Sequence, residues 1–274
     1  MKQKNLLLFI LMLFCLSAAA QKQTIYATEF TSRIMVPDKV ITTIRSAVIE
    51  SMRKTNRVTV VDALSAGTDR QLAPLENARY HQAAYLLNGD IVAREATDDG
   101  SSHRKYHSRA DSFKEKFTLQ LELVRSSDNT VVYTGNYEGT GSASGKDATQ
   151  LSAVENALLN MPYEMGKLID TYFKVYGSIL NAGAENAKKV KTVYINLGFD
   201  DPIKEGIRFD VIEENNVSGE TTEECKIGEI RVDKMVGPRL SLCKVNKGGD
   251  RIKEALQKGA SLKLVSRQAK LFDE

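Results

Sequence analysis

The sequence changes character at residues 181–191. Before that stretch, segments with a helical period alternate with strand-like runs. After it, five short β-branched runs follow within about 80 residues, a density that points to a small barrel. Helices and strands bury their apolar side chains at different periods, 3.6 and 2, so the two halves cannot share one repeating layer. The small, polar and charged stretch between them is a natural boundary. The expected fold class is therefore an α/β (α+β) N-terminal domain with a mixed sheet over residues 21–180. A small C-terminal β-barrel is expected over residues 190–268.

Within the first half, Thr24–Phe30 reads as a strand. Pro37–Thr55 reads as a helix, because Val40, Ile44, Val48 and Met52 recur every fourth residue, with Ile41 and Ile49 beside them. Arg57–Asp62 and Ala83–Val92 read as strands, and Asp69–Arg79 as a short helix or loop broken by Pro74. Phe117–Val124 alternates Phe117, Leu119, Leu121 and Leu123 with Thr118, Gln120 and Glu122. Ser126–Asn129 supplies turn residues and Thr130–Gly141 returns, a hairpin with one buried face. Asp147–Gln150 has the form of a capping box, opening a helix whose stripe runs Leu151, Val154, Leu158, Met161, Met165, Leu168, Tyr172, Tyr176. Pro162 is expected to kink or split it. Arg94–Lys116 holds six basic and five acidic residues and no Val, Ile, Leu or Met, so it reads as a solvated loop. In the second half the strands are Thr192–Asn196, Ile207–Glu213, Lys226–Lys234, Leu240–Val245 and Ser261–Val265.

The N-terminus has the form of an export signal. A basic start, Met1–Asn5, leads into the apolar run Leu6–Leu16 and the small residues Ser17–Ala20. Ala18 and Ala20 fit the cleavage pattern, with a cut between Ala20 and Gln21. The run is about half the length of a spanning helix. Bulky Leu13 and Phe14 precede Cys15, which disfavours lipid attachment there. The expected location is periplasmic or secreted, with outer-membrane association as an alternative and no integral membrane helix in the mature chain. Loss of Lys2 and Lys4 takes the formal charge from +3 to +1, which gives no case for nucleic acid.

No arrangement of residues argues for catalysis, and neither a cofactor nor a metal is expected. His103 and His107 sit four apart near Asp98, Asp99 and Asp111, but Arg104 and Lys105 would repel a cation, and a solvated loop is the simpler reading. Gly139–Asp147 lies where a phosphate loop would sit. Thr140 occupies the place of its first glycine, and Asp147 would repel phosphate. No Gly-x-Ser-x-Gly elbow is present. Cys225 and Cys243 form an even pair in an oxidising compartment. A tight turn at Val236–Pro238 would put Cys243 opposite Arg231, six residues from Cys225. That is about 20 Å along a strand, against a Cα limit near 7 Å for a bridge. Sharply bent barrel strands would bring the two together, so a disulfide and two separate thiols both stand as readings.

Residues 22–178 resemble the periplasmic α/β domain of the curli secretion protein CsgG, with LpoB and the N-terminal domain of TolB looking similar. The resemblance is carried by the strand Thr24–Phe30, the helix Pro37–Thr55, Arg57–Ala63, Ala83–Val92, and Val131–Ser142 followed by a long helix. The second half resembles the C-terminal SH3-like barrel of the flagellar-assembly protein FlgT, through Val193–Glu214, Lys226–Gly237 and Leu256–Val265. FlgT also places a CsgG-like domain before such a barrel. The resemblance implies a non-enzymatic binding or assembly module acting on an envelope protein or cell-wall component, with homo-oligomers an option. Its alternative is a ring-forming outer-membrane secretion pore subunit like CsgG. Two departures stand against the pore: the missing lipobox, and the lack of a lipid-facing apolar side in Arg94–Lys116.

Overall fold

The computed structural model describes residues 22–66, 72–98, 111–218 and 221–267, without the side chains of 111, 215–218 and 221–223. The described residues divide into two compact units, 23–173 and 174–267.

The first unit is an α/β domain with a mixed sheet. Its elements are β1 (Gln23–Ala27), β2 (Thr31–Ser32), α1 (Asp38–Lys54), β3 (Val58–Asp62), α2 (Pro74–Tyr80), β4 (Tyr85–Asp98), β5 (Asp111–Arg125), β6 (Val131–Gly145), α3 (Gln150–Ala157) and α4 (Met161–Tyr172). The sheet order is β3-β1-β4-β5-β6, with β2 paired to β4. β1 lies parallel to β3 and β4, and β4, β5 and β6 form an antiparallel meander. The β-branched run in β3 and the stripe on α1 form one β-α-β unit, which the parallel pairing of β1 with β3 requires.

Strand alternation sorts this sheet's residues. Ile25, Ala27, Val58, Val60, Leu87, Ile91, Phe117, Leu119, Leu121 and Leu123 pack with Val40, Ile44, Val48 and Met52 of α1 and with Met161, Met165, Leu168 and Ile169 of α4. The hairpin's apolar face is thus spent on the domain core, not on lipid. Where α3 crosses β6 the backbones almost touch: a Cβ on Gly141 would lie 2.3 Å from Ala153 O and from Ala157 N. A smaller cluster of Tyr26, Ala78, Ala83, Leu86 and Val124 lies on the opposite face, under α2.

Several expectations are corrected here. The charged segment Arg94–Lys116 is strand at both described ends, since β4 runs to Asp98 and β5 begins at Asp111. Pairing and electrostatics replace apolar burial in holding it. Glu115 is buried, the Arg94 guanidinium forks onto it at 2.6 and 3.1 Å, and the Gln150 amide also donates to it. Pro162 does split the helix, into α3 and α4. The N-cap of α3 is Thr149, whose hydroxyl accepts from Ser152 N at 3.1 Å, not Asp147. Tyr176 leaves the helical stripe. α4 ends at Tyr172, and Tyr176 opens a strand with its ring half exposed.

The second unit is a small closed barrel of antiparallel strands. These are β7 (Tyr176–Ala182), β8 (Thr192–Ile195), β9 (Arg208–Ser218), β10 (Thr221–Gly237), β11 (Leu240–Lys247) and β12 (Leu262–Ser266), in the order β10-β11-β8-β7-β12-β9. Val193, Ile195, Phe209, Val211, Ile230, Val232 and Leu264 fill it. An all-β half was expected, yet helix α5 (Gly249–Gln257) adds Ile252 and Ala255 to the core. Gly248 turns the chain into α5 at φ 71°, with the carbonyl of Ile227 where a Cβ would sit.

The disulfide reading fails in this barrel. Bulges in the β10–β11 hairpin place Cys243 opposite Val232, seven residues from Cys225, roughly 23 Å along the strand. Both thiols are free, Cys225 exposed and Cys243 buried. Burial pushes the Cys243 thiol up to about 12. No helix among the described residues is long and apolar enough to cross a membrane.

Candidate functional site

The face of the first unit's sheet opposite α1 and α4, covered in part by α2, presents the residues that alternate with its core. Across β4, β5 and β6 the register aligns Asn88, Glu122 and Thr134 in one row. Asp90 and Gln120 stand opposite each other in the next. Hydrogen bonds lock both rows. The Thr28 hydroxyl lies 3.1 Å from Leu87 O and 3.2 Å from Asn88 Oδ1, and Asn88 Nδ2 donates to Glu122 Oε2 at 3.2 Å. In the second row Thr31 donates to Asp90 Oδ1 at 3.1 Å. Arg33 Nε donates to Asp90 Oδ2 at 2.5 Å, and its Nη2 reaches Gln120 Oε1 at 3.4 Å.

Loops turn this polar floor into a cleft of about 1100 Å³. Its apolar wall is Ala63 and Leu64, after β3, with Leu72 and Pro74, where α2 begins. Asn77 Nδ2 donates to Leu72 O at 3.1 Å and ties that wall to α2. Tyr26 lies at its base, stacked on His81 with ring centroids 5.6 Å apart. Glu29 stands exposed at the rim.

One buried guanidinium fixes both rims. Arg45, on α1, donates through Nε to Thr28 O at 2.7 Å and through Nη2 to Ala27 O at 3.2 Å and Asp62 Oδ1 at 2.6 Å. Asp62 Oδ1 also accepts from Leu64 N at 2.8 Å. Partial burial alone would push the Asp62 carboxyl up, but the Arg45 guanidinium and the Leu64 amide outweigh it and hold it below the usual carboxylate range. β1's exit and β3's exit, the two chain ends that frame the cleft, therefore share one electrostatic anchor.

Chemically, the cleft offers recognition by hydrogen bonding and charge. Among its described lining residues none is His, Cys, Ser or Lys, and Asp90 is held by Thr31 and Arg33. Among the described residues no group of three or more His, Cys, Asp or Glu is placed to hold a metal ion.

The residues singled out from sequence do not converge here. Ala20, Gln21, His103 and His107 lie outside the described residues. Cys225 and Cys243 belong to the barrel, and Gly139–Gly145 is paired strand, not a phosphate loop. Thr28, Asn88, Asp90 and Arg33 went unnoticed. Their signal was the polar half of the strand alternation, which by itself marks only a surface.

No family model and no curated protein matches the sequence. Among solved structures, a PelC dodecamer from Paraburkholderia phytofirmans is similar at 17% identity, covering 53% of this chain and 88% of that one, TM-score 0.33. Lipoprotein GNA1162 from Neisseria meningitidis is similar at 11% identity, 50% and 99% coverage, TM-score 0.32. The LpoB C-terminal domain from Salmonella enterica is similar at 10% identity, 46% and 88% coverage, TM-score 0.25. Scores this low place the chain in no family.

Proposed function

We propose that this chain is an exported, non-catalytic binding or assembly protein of the bacterial envelope, of the CsgG and FlgT type, and that its α/β unit holds a partner in the cleft. The observation that carries this reading is the open sheet face itself, two hydrogen-bonded polar rows beside an aliphatic wall. Sites with a few convergent polar groups in an apolar-walled cleft are ordinary binding sites. Support for the envelope comes from the signal-like N-terminus with its cut between Ala20 and Gln21, and from the order of the two modules. Support for binding over catalysis comes from the cleft's described lining, in which Asp90 is held by Thr31 and Arg33 and no nucleophile stands with a base beside it.

The pore reading draws on the length of β4, β5 and β6, at 14, 15 and 15 residues. Their outer ends carry Arg94, Glu95, Asp98, Lys114, Glu115 and Lys116, charges on both faces where a spanning strand needs one apolar face. A partner-binding module is the better fit.

In-cell photocross-linking tests the proposal. A benzoylphenylalanine replacing Thr134, at the cleft edge, should give one recurrent adduct of an envelope component. The same group at Lys263 in the barrel should not. Adducts from Lys263 with none from Thr134 would move the site out of the cleft.

A further inference from the structure

The cleft carries a charge imbalance that its own contacts leave standing. Among its described lining residues are three carboxylates, those of Glu29, Asp90 and Glu122, and one guanidinium, that of Arg33. Arg33 is committed to Asp90. Glu122 accepts from the neutral amide of Asn88, and Glu29 stands at the rim. Among the described residues neither takes part in an ion pair, whereas the barrel's Asp210, Glu214, Glu224 and Glu229 all have cations within 4 Å. The aliphatic wall, where Leu64 is 55% exposed, lines the same cleft as these two acids.

A ligand that satisfies both features carries fixed positive charge next to apolar surface. Lysine and arginine do so within one side chain, a hydrocarbon stem ending in a cation. An extended segment also repeats its side chains every second residue, about 6.6 Å apart. That is the same spacing as separates the floor's two rows along each strand. A free amine would use the charge and leave the wall bare, while an acidic segment would meet two unneutralised carboxylates.

We propose that the cleft takes a lysine- or arginine-bearing extended segment of a partner protein. Its cation sits on Glu122 with Glu29 assisting from the rim, and its apolar neighbours lie on Leu64, Leu72 and Pro74. This rests on the cleft being the partner-binding surface and specifies the partner's chemistry.

The test titrates the exported chain into three end-blocked fluorescent nonapeptides. They share one leucine pattern and carry Lys, Gln or Glu at the alternate positions. At low salt the Lys peptide should bind at least tenfold tighter than the Gln peptide, and the Glu peptide weakest. Glu122→Gln should weaken the Lys peptide about tenfold, as loss of a partly buried charged hydrogen bond does. Glu29→Gln, at an exposed position where folding is not at stake, should weaken it less. Glu254→Gln, on α5 of the barrel, should leave affinity unchanged. Equal binding of the three peptides, binding of none, or an unaltered affinity in both Glu122→Gln and Glu29→Gln overturns the inference. Charge-indifferent peptides together with cross-links from Thr134 overturn only the ligand class; partner cross-links from the barrel alone overturn the cleft as the binding surface.

Discussion

The barrel and the open sheet treat their outward-facing charges in opposite ways. On the barrel, Lys226 lies 2.8 Å from Asp210 and 2.9 Å from Glu229, and Arg267 reaches the same two acids at 3.3 and 2.7 Å. Lys226, and then Arg267, hold the Glu229 carboxyl below its ordinary value against the burial that opposes them. Lys263 likewise joins Glu214 and Glu224. The cleft floor pairs Asp90 but leaves Glu29 and Glu122 without a cation among the described residues. Closing strands on themselves leaves no edge, and here the acids Asp210, Glu214, Glu224 and Glu229 are neutralised in place. Leaving one sheet face open, with loops raised around it, keeps charge in reserve for something else. Both units stand on apolar cores, and the cleft rims of the first are held in addition by one buried guanidinium.

The sharpest way to break this contrast is to attack each foundation. Phe209 is fully buried at the barrel's centre. Phe209→Ala should cost the barrel about 4 kcal/mol, seen as faster amide exchange in β9 to β11 with β1 and β4 unchanged. Arg45→Ala should cost the α/β unit about 3 kcal/mol, because it leaves the Asp62 carboxylate without its cation and the Thr28 carbonyl without this donor. Its exchange should quicken at Ala27–Arg33 and Ala63–Ala66 and leave the barrel alone. Equal effects of either change on both units would show that the units do not stand separately.

Acid sharpens the same point. The folded Asp62 carboxyl titrates below its ordinary value, so its stabilising pairing is complete above about pH 4. It is lost as the pH falls through the lower folded value. The α/β unit should therefore unfold at lower urea as the pH falls below about 4, and Arg45→Ala should flatten that dependence. Persistence of the full dependence in the variant would remove Asp62 as its source.

The thiols make the smallest contrast. Cys225 should react with a thiol reagent in the native protein, whereas Cys243, buried with its thiol pushed up to about 12, should react only on unfolding. Two unreactive thiols that are released by a reductant would restore the disulfide.

The core was legible because periodicity encodes it. Phe117, Leu119, Leu121 and Leu123 announced a buried face, and α1's four-residue stripe announced what would cover it. Tyr176 misled by keeping the i+4 spacing of Leu168 and Tyr172 beyond the residue where the helix stops. Phe173 breaks the run at φ −122°, ψ 55°. Arg94–Lys116 misled because strands can be held by pairing and by ion pairs such as Arg94–Glu115, which leave no apolar pattern. α5 was missed because a nine-residue helix whose buried apolar side chains are Ile252 and Ala255 is too short to repeat its stripe. The cleft was half legible. Gln120 and Glu122 were visibly on the polar side of a hairpin. That Asn88 and Asp90 would face them, and that Leu64 and Leu72 would wall them in, depends on strand order and on loops, which no local pattern states.

The most direct measurement is amide hydrogen exchange on the chain, alone and with the partner captured by cross-linking. The cleft account predicts new protection at Thr28–Arg33, Ala63–Ala66 and Leu72–Pro74, with the barrel strands unaltered. Protection confined to β7–β12, with those three segments exchanging as before, would contradict it.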